Sequence, residues 1–116
     1  MKDWARPVVH WEIQAVDPDR QRAFYSALFN WDIGDGPIMT IPAGIGGPEP
    51  GPGGHIRASD TGGVTLYVQV RDLKESLAKA ADLGGTVVLE PFDLPGQPTL
   101  AAITDPEGNG VMLVQQ

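Results

Sequence analysis

The sequence predicts an α+β fold of two tandem βαβββ modules, forming an open, curled mixed sheet with a central cleft. Three observations carry this expectation. Two aspartates suited to cap helices, Asp17 and Asp72, stand 55 residues apart, and the same shift lays Trp11 on Leu66, Ile13 on Val68, Ala15 on Val70, Ala23 on Ala78 and Leu28 on Leu83. Each aspartate follows an alternating strand pattern and opens an amphipathic helix pattern. One copy of such a unit leaves a sheet face uncovered, so it needs the other to build a core. A chain of 116 residues with 41% hydrophobic content then forms a single domain over 1–116, with module 1 about 7–58 and module 2 about 64–116.

The elements follow in order. Residues 7–16 alternate as a strand, Val9, Trp11, Ile13 and Ala15 on one face and His10, Glu12 and Gln14 on the other. Asp17 before Pro18 starts a helix over 18–29, with Ala23, Phe24, Ala27 and Leu28 as its apolar stripe. Short strands are expected at 31–33 and 38–41 around a Gly-Asp-Gly-Pro turn. Residues 42–54 hold six glycines and four prolines and read as a loop. A strand at 55–58 closes the first module. In the second, Val64, Leu66, Val68 and Val70 alternate with Thr65, Tyr67 and Gln69, then Asp72 caps a helix over 73–83 that stops at Gly84-Gly85. Strands at 87–90, 100–104 and 111–115 complete it, the last two joined by the turn Asp105-Pro106-Glu107-Gly108.

Composition removes several function classes. The chain has no cysteine, so disulfides, thiolate metal sites and a cysteine nucleophile are absent. Only 8 Lys and Arg and a formal charge of −7 oppose nucleic-acid binding, which draws on phosphate neutralisation. No apolar run reaches the roughly 20 residues of a membrane span, and a cytoplasmic location is expected. Ser26, Ser59 and Ser76 lack a Gly-x-Ser-x-Gly elbow, and the glycine-rich loop lacks the Gly-Lys-Ser/Thr ending of a phosphate loop.

If the apolar rows of both modules pack under their helices, His10, Glu12, Gln14 and Thr65, Tyr67, Gln69 share the opposite side and line a trough. Trp31, Met39, Tyr67 and Met112 would add stacking and soft contacts for an organic ligand. Glu12 is a candidate general base with His10 as acid or electrophile; equally, it could pair with Arg6 or another cation.

The segments His10–Asp17, Phe24–Trp31, Val70–Leu73 with Leu83-Gly84-Gly85, and Asp105–Gly108 together resemble the glyoxalase, bleomycin-resistance and extradiol-dioxygenase superfamily, the vicinal oxygen chelate proteins, and more narrowly their glyoxalase-like bacterial members. The resemblance implies a homodimer, a small-molecule ligand and, in metal-using members, four ligands from four strands. On these positions the chain carries His10, Thr65 and Met112, with the fourth near His55. Thr and Met are poor ligands for the ions this superfamily uses, so the metal site is degenerate. The resulting expectation is a protein that sequesters a small organic molecule or acts on it without metal, His10 and Glu12 being the catalytic candidates. The alternative is a metal-dependent lyase, isomerase or dioxygenase of the glyoxalase type, built on His10 with Glu12 and His55.

Overall fold

The computed structural model describes residues 4–44 and 51–116. They contain β1 (Val8–Ala15), α1 (Pro18–Phe29), β2 (Ile38–Ile41), β3 (Gly54–Ala58), β4 (Gly63–Val70), α2 (Leu73–Asp82), β5 (Thr86–Phe92), β6 (Leu100–Thr104) and β7 (Gly110–Gln115). The α+β class is as expected. The chain divides into two compact units, one of His10–Thr65 and the other of Leu66–Gln116 with the N-terminal stretch up to Val9. Among the described residues no helix is long and apolar enough to cross a membrane.

In the first unit the strand order is β2-β3-β1, with β1 parallel and β2 antiparallel to β3. Asp17 caps α1 by accepting the backbone N–H of Arg20 at 3.2 Å, and Pro18 supplies the preset φ of a first turn. Asn30 ends the helix in the left-handed region at φ 59°. Ile13, Ala15, Ile33, Met39, Ile41 and Ile56 form the core, with Trp11, Tyr25 and Trp31 packed on it. Of the loop expected over 42–54, residues 45–50 lie outside the described residues; its ends are tied by Gly44 N–H donating to Gly51 O at 3.1 Å.

Two expectations for this unit are corrected. Residues 31–33 make no strand. Trp31 and Ile33 turn into the core, and the bond from Gly34 N to Thr40 O, 3.0 Å, closes a loop without starting a ladder. The stripe of Ala23, Phe24, Ala27 and Leu28 faces outward, Phe24 being 54% and Leu28 59% exposed. The helix instead turns Tyr25 inward, stacked on Trp31 at 5.5 Å, and Arg22 Nε donates to Ile33 O at 2.9 Å. An extended aromatic contact and a satisfied carbonyl outweigh the burial of the more apolar flank.

In the second unit the order is β4-β7-β6-β5, with β4 parallel to β7 and the rest antiparallel. Both units thus close their first strand in parallel with their last, as a duplication requires. Asp72 accepts from Glu75 N at 3.1 Å, and Gly84, at φ 99°, takes the left-handed turn after α2. Val70, Leu73, Leu77, Ala101 and Leu113 form the core. The predicted apolar row of the second repeat is only half realised: Val64 and Leu66 are exposed, and Val68 and Val70 are covered. The reason is where α2 lies, against β5, β6 and β7.

Candidate functional site

The parallel pairing of β1 with β3 sets Glu12 opposite His55 and Gln14 opposite Arg57. Because side chains alternate along each strand, His10, Glu12, Gln14, His55 and Arg57 emerge on one face. The other face sets the register. A Cβ on Gly54 would lie 2.6 Å from the Trp11 ring and from Trp11 O, so the indole crosses β3 where a side chain is missing. Trp11 Nε1 donates to Pro52 O at 2.9 Å and ties the end of the loop to β1.

Glu12 is the hub. It is 4% exposed and accepts from three side chains: Arg57 Nε at 2.7 Å and His55 Nε2 at 2.8 Å, both to Oε1, and Gln14 Nε2 at 3.0 Å to Oε2. Arg57 Nη2 adds a long contact of 3.4 Å to Oε2. Burial pushes the Glu12 carboxyl up. The hydrogen bonds from His55, Arg57 and Gln14, with the Arg57 charge, more than reverse this and hold it well below the usual carboxylate range. Gln14 also donates to Thr65 Oγ1 at 3.0 Å, so buried Thr65 serves the same network.

His55 extends the network outward: its Nδ1 lies 2.7 Å from His10 Nε2. An ionised Glu12 can only accept, so His55 Nε2 carries a proton. With His55 neutral, its Nδ1 is an acceptor, and His10 Nε2 must donate to it. The lone pair of a neutral His10 then sits on Nδ1. Burial, then repulsion from His55, lower the His10 pKa against the pull of Glu12, which favours the neutral ring. A proton taken up at Nδ1 lets the Nε2 proton pass to His55, where the positive charge meets the Glu12 carboxylate. The three side chains form a continuous hydrogen-bonded row, His10–His55–Glu12, in which the carboxylate orients the imidazole next to it.

The other predicted site residues divide. Met39 is built into the core and Trp31 packs on it. Tyr67, Gln69 and Met112 belong to the other unit, where Tyr67 is the register partner of Met112 and Gln69 N–H donates to Pro7 O at 3.0 Å. Arg6 does not serve as the cation for Glu12; its guanidinium lies over the Trp4 ring at 4.6 Å. Arg57 takes that place, and sequence reasoning gave it no role. The 55-residue shift could not have found it, because the last strands of the two units are offset by two further residues and Met112 corresponds by register to His55.

Two of the four positions that match the ligand pattern lack a donor suited to a divalent ion. They hold Thr65 and Met112; the fourth falls at His55, which the strand register sets beside Glu12 as Met112 is set beside Tyr67. His55 has both ring nitrogens engaged, and the Glu12 carboxylate is bound to Arg57. Among the described residues no group of three or more His, Asp or Glu is arranged to hold a metal ion.

A family model for the glyoxalase-like domain matches residues 10–114, from His10 to the last strand. The chain belongs to the glyoxalase-like domain family. It is 31% identical over 110 residues to the candidate glyoxylase CFP32 of Mycobacterium bovis and of Mycobacterium tuberculosis, a match covering 84% of this chain. That match covers 39% of those curated relatives, so the chain spans about two fifths of their length. Among solved structures it resembles a glyoxalase/bleomycin resistance protein/dioxygenase superfamily member from Vibrio splendidus, with a TM-score of 0.66, 15% identity and coverage of 97% and 100% of the two chains. The Mn(II)-bound glyoxalase from Novosphingobium aromaticivorans follows the same fold at a TM-score of 0.64 and 18% identity, covering 96% of this chain and 40% of that one. At such identity these structures show the fold alone.

Proposed function

We propose that this glyoxalase-like chain binds a small organic molecule and moves a proton on it at His10, without the divalent ion of its metal-using relatives. The continuous hydrogen-bonded chain from His10 through His55 to Glu12 supports this reading most directly. His10 is the acid–base group; His55 passes the proton and takes the charge; Glu12 keeps that charge stable and orients the His55 ring. Arg57 and Gln14 hold Glu12 ionised and in place. Gln14, bonded to both Glu12 and Thr65, extends this set toward the ligand. The reading includes a homodimer, for which the outward apolar side chains of Phe24, Leu28 and Phe29 on α1 are the support; sedimentation of wild type against Phe24→Ser tests it.

The experiment uses chelator-treated protein. A thermal-shift panel of small carbonyl compounds selects binders, and each is incubated in deuterium oxide to follow exchange at the carbon beside the carbonyl. Exchange is expected without added metal and should fall by about 10²- to 10⁴-fold in His10→Ala. Exchange that requires added Mn(II) or Zn(II) would establish the metal-dependent lyase or isomerase alternative. Binding without exchange would make the chain a sequestering protein.

A further inference from the structure

The second unit holds a cavity of about 780 Å³ that the relay does not use. It runs along one flank of α2. Asp72, Glu75, Ser76, Lys79, Ala80 and Leu83 follow the three- and four-residue spacing of a helix face, so the groove is roughly 16 Å long at 1.5 Å per residue. The neighbouring flank of the helix, Leu73 and Leu77, is buried in the core. In the middle of the groove stand the small side chains of Ser76 and Ala80, which keep it open.

Its walls are amphipathic. Ile103 and Leu113 form an apolar floor and Trp4 an aromatic wall. The segment bearing Trp4 is held by Gln69 N–H donating to Pro7 O, and Arg6 Nη1 donates to Trp4 O. Arg6, Arg71 and Lys79 line the groove, three of the eight Lys and Arg in a chain of net charge −7. Two carboxylates stand with them, Glu75 and Asp72, the latter capping α2, so the cations exceed the anions by one. Cations gathered over an apolar floor, in a volume typical of small-molecule sites, match a ligand with an anionic head and an apolar body.

The geometry points to a second ligand site on this flank of α2, for an elongated organic carboxylate whose head meets Arg6 and Arg71 and whose body lies over Ala80 toward Leu83. It is independent of the relay in residues and in chemistry.

Decanoate, kept below its micelle concentration, is the probe, with decanol and decyltrimethylammonium as controls, followed by amide and indole NMR shifts of the full chain. The expected result is saturable binding of decanoate, with shifts concentrated at residues 71–83, Ile103, Leu113 and the Trp4 indole. Decanol should bind more weakly and the ammonium probe least. Ala80→Leu, a change that keeps a strong helix former, should abolish binding by filling the groove. Arg6→Gln with Arg71→Gln should weaken it about tenfold and flatten its salt dependence. Equal binding of the cationic probe, shifts centred elsewhere, or undiminished binding in folded Ala80→Leu would overturn the assignment, as would no binding at low-millimolar decanoate.

Discussion

Replacing Arg57 by Met tests the electrostatic half of the relay. Methionine removes the guanidinium and preserves much of the arginine stem. The variant loses the 2.7 Å bond to Glu12 Oε1; the 3.4 Å contact to Oε2 contributes little. A hydrogen bond to a charged group is worth about 1.5–3 kcal/mol. The Arg57 side chain is 45% exposed, and screening by solvent reduces the expected loss to about 1–2 kcal/mol. For a domain of this size that corresponds to a fall in Tm of roughly 4–8 °C at pH 7.

The pH dependence gives the sharper reading. Because the folded-state pKa of Glu12 is depressed, its ionised form stabilises the fold above the unfolded glutamate pKa. That contribution is lost as pH falls through the folded value. Removing Arg57 raises the folded value, so the stability gap between wild type and variant should be full at neutral pH and narrow in acid. Thermal melts from pH 7 down to the most acid pH at which the fold survives, with carboxyl ¹³C titration of Glu12, measure both effects. A Tm difference below about 1 °C at pH 7, set against the expected shift, or a gap that widens in acid, would refute the argument.

Three further outcomes are expected. Gly54→Ala should cost about 3 kcal/mol or prevent folding, because the new Cβ meets both the Trp11 ring and Trp11 O at 2.6 Å and the backbone oxygen cannot step aside; urea unfolding measures it, and a loss under about 0.5 kcal/mol would contradict the close packing. Asp17→Ala and Asp72→Ala should each cost about 1 kcal/mol, the ordinary value of an N-cap, and their effects should add in the double variant since the caps lie in separate units. The His10 ring should titrate below the usual histidine midpoint of about 6.5. Since the unfolded chain then binds the proton more readily, stability falls as pH drops below that midpoint, and a ring titration by NMR at or above it would count against the buried, His55-facing placement.

Much of the framework is readable in the residues alone. The 55-residue recurrence of strand, capping aspartate and helix announces the duplication, and both caps form as the local chemistry dictates, because an aspartate one residue ahead of a helix satisfies a donor whatever the rest of the chain does. The alternation of His10, Glu12 and Gln14 on one face is equally local. The loss of Thr65 and Met112 as metal ligands is a matter of side-chain chemistry alone.

Tertiary structure decided the rest. Whether Glu12 meets Arg6 or Arg57 depends on which strand lies beside β1 and in what register, and a slip of one residue would have turned His55 and Arg57 to the opposite face. The direct bond between His10 and His55 joins positions 45 apart in sequence, beyond any local signal. The rotation of α1 also escaped the pattern: Phe24 and Leu28 are more hydrophobic than Arg22 and Tyr25, yet the ring of Trp31 and the carbonyl of Ile33 lay where the less apolar flank could use them. Composition selects which side chains can be buried, and the partners that packing supplies determine which of them are.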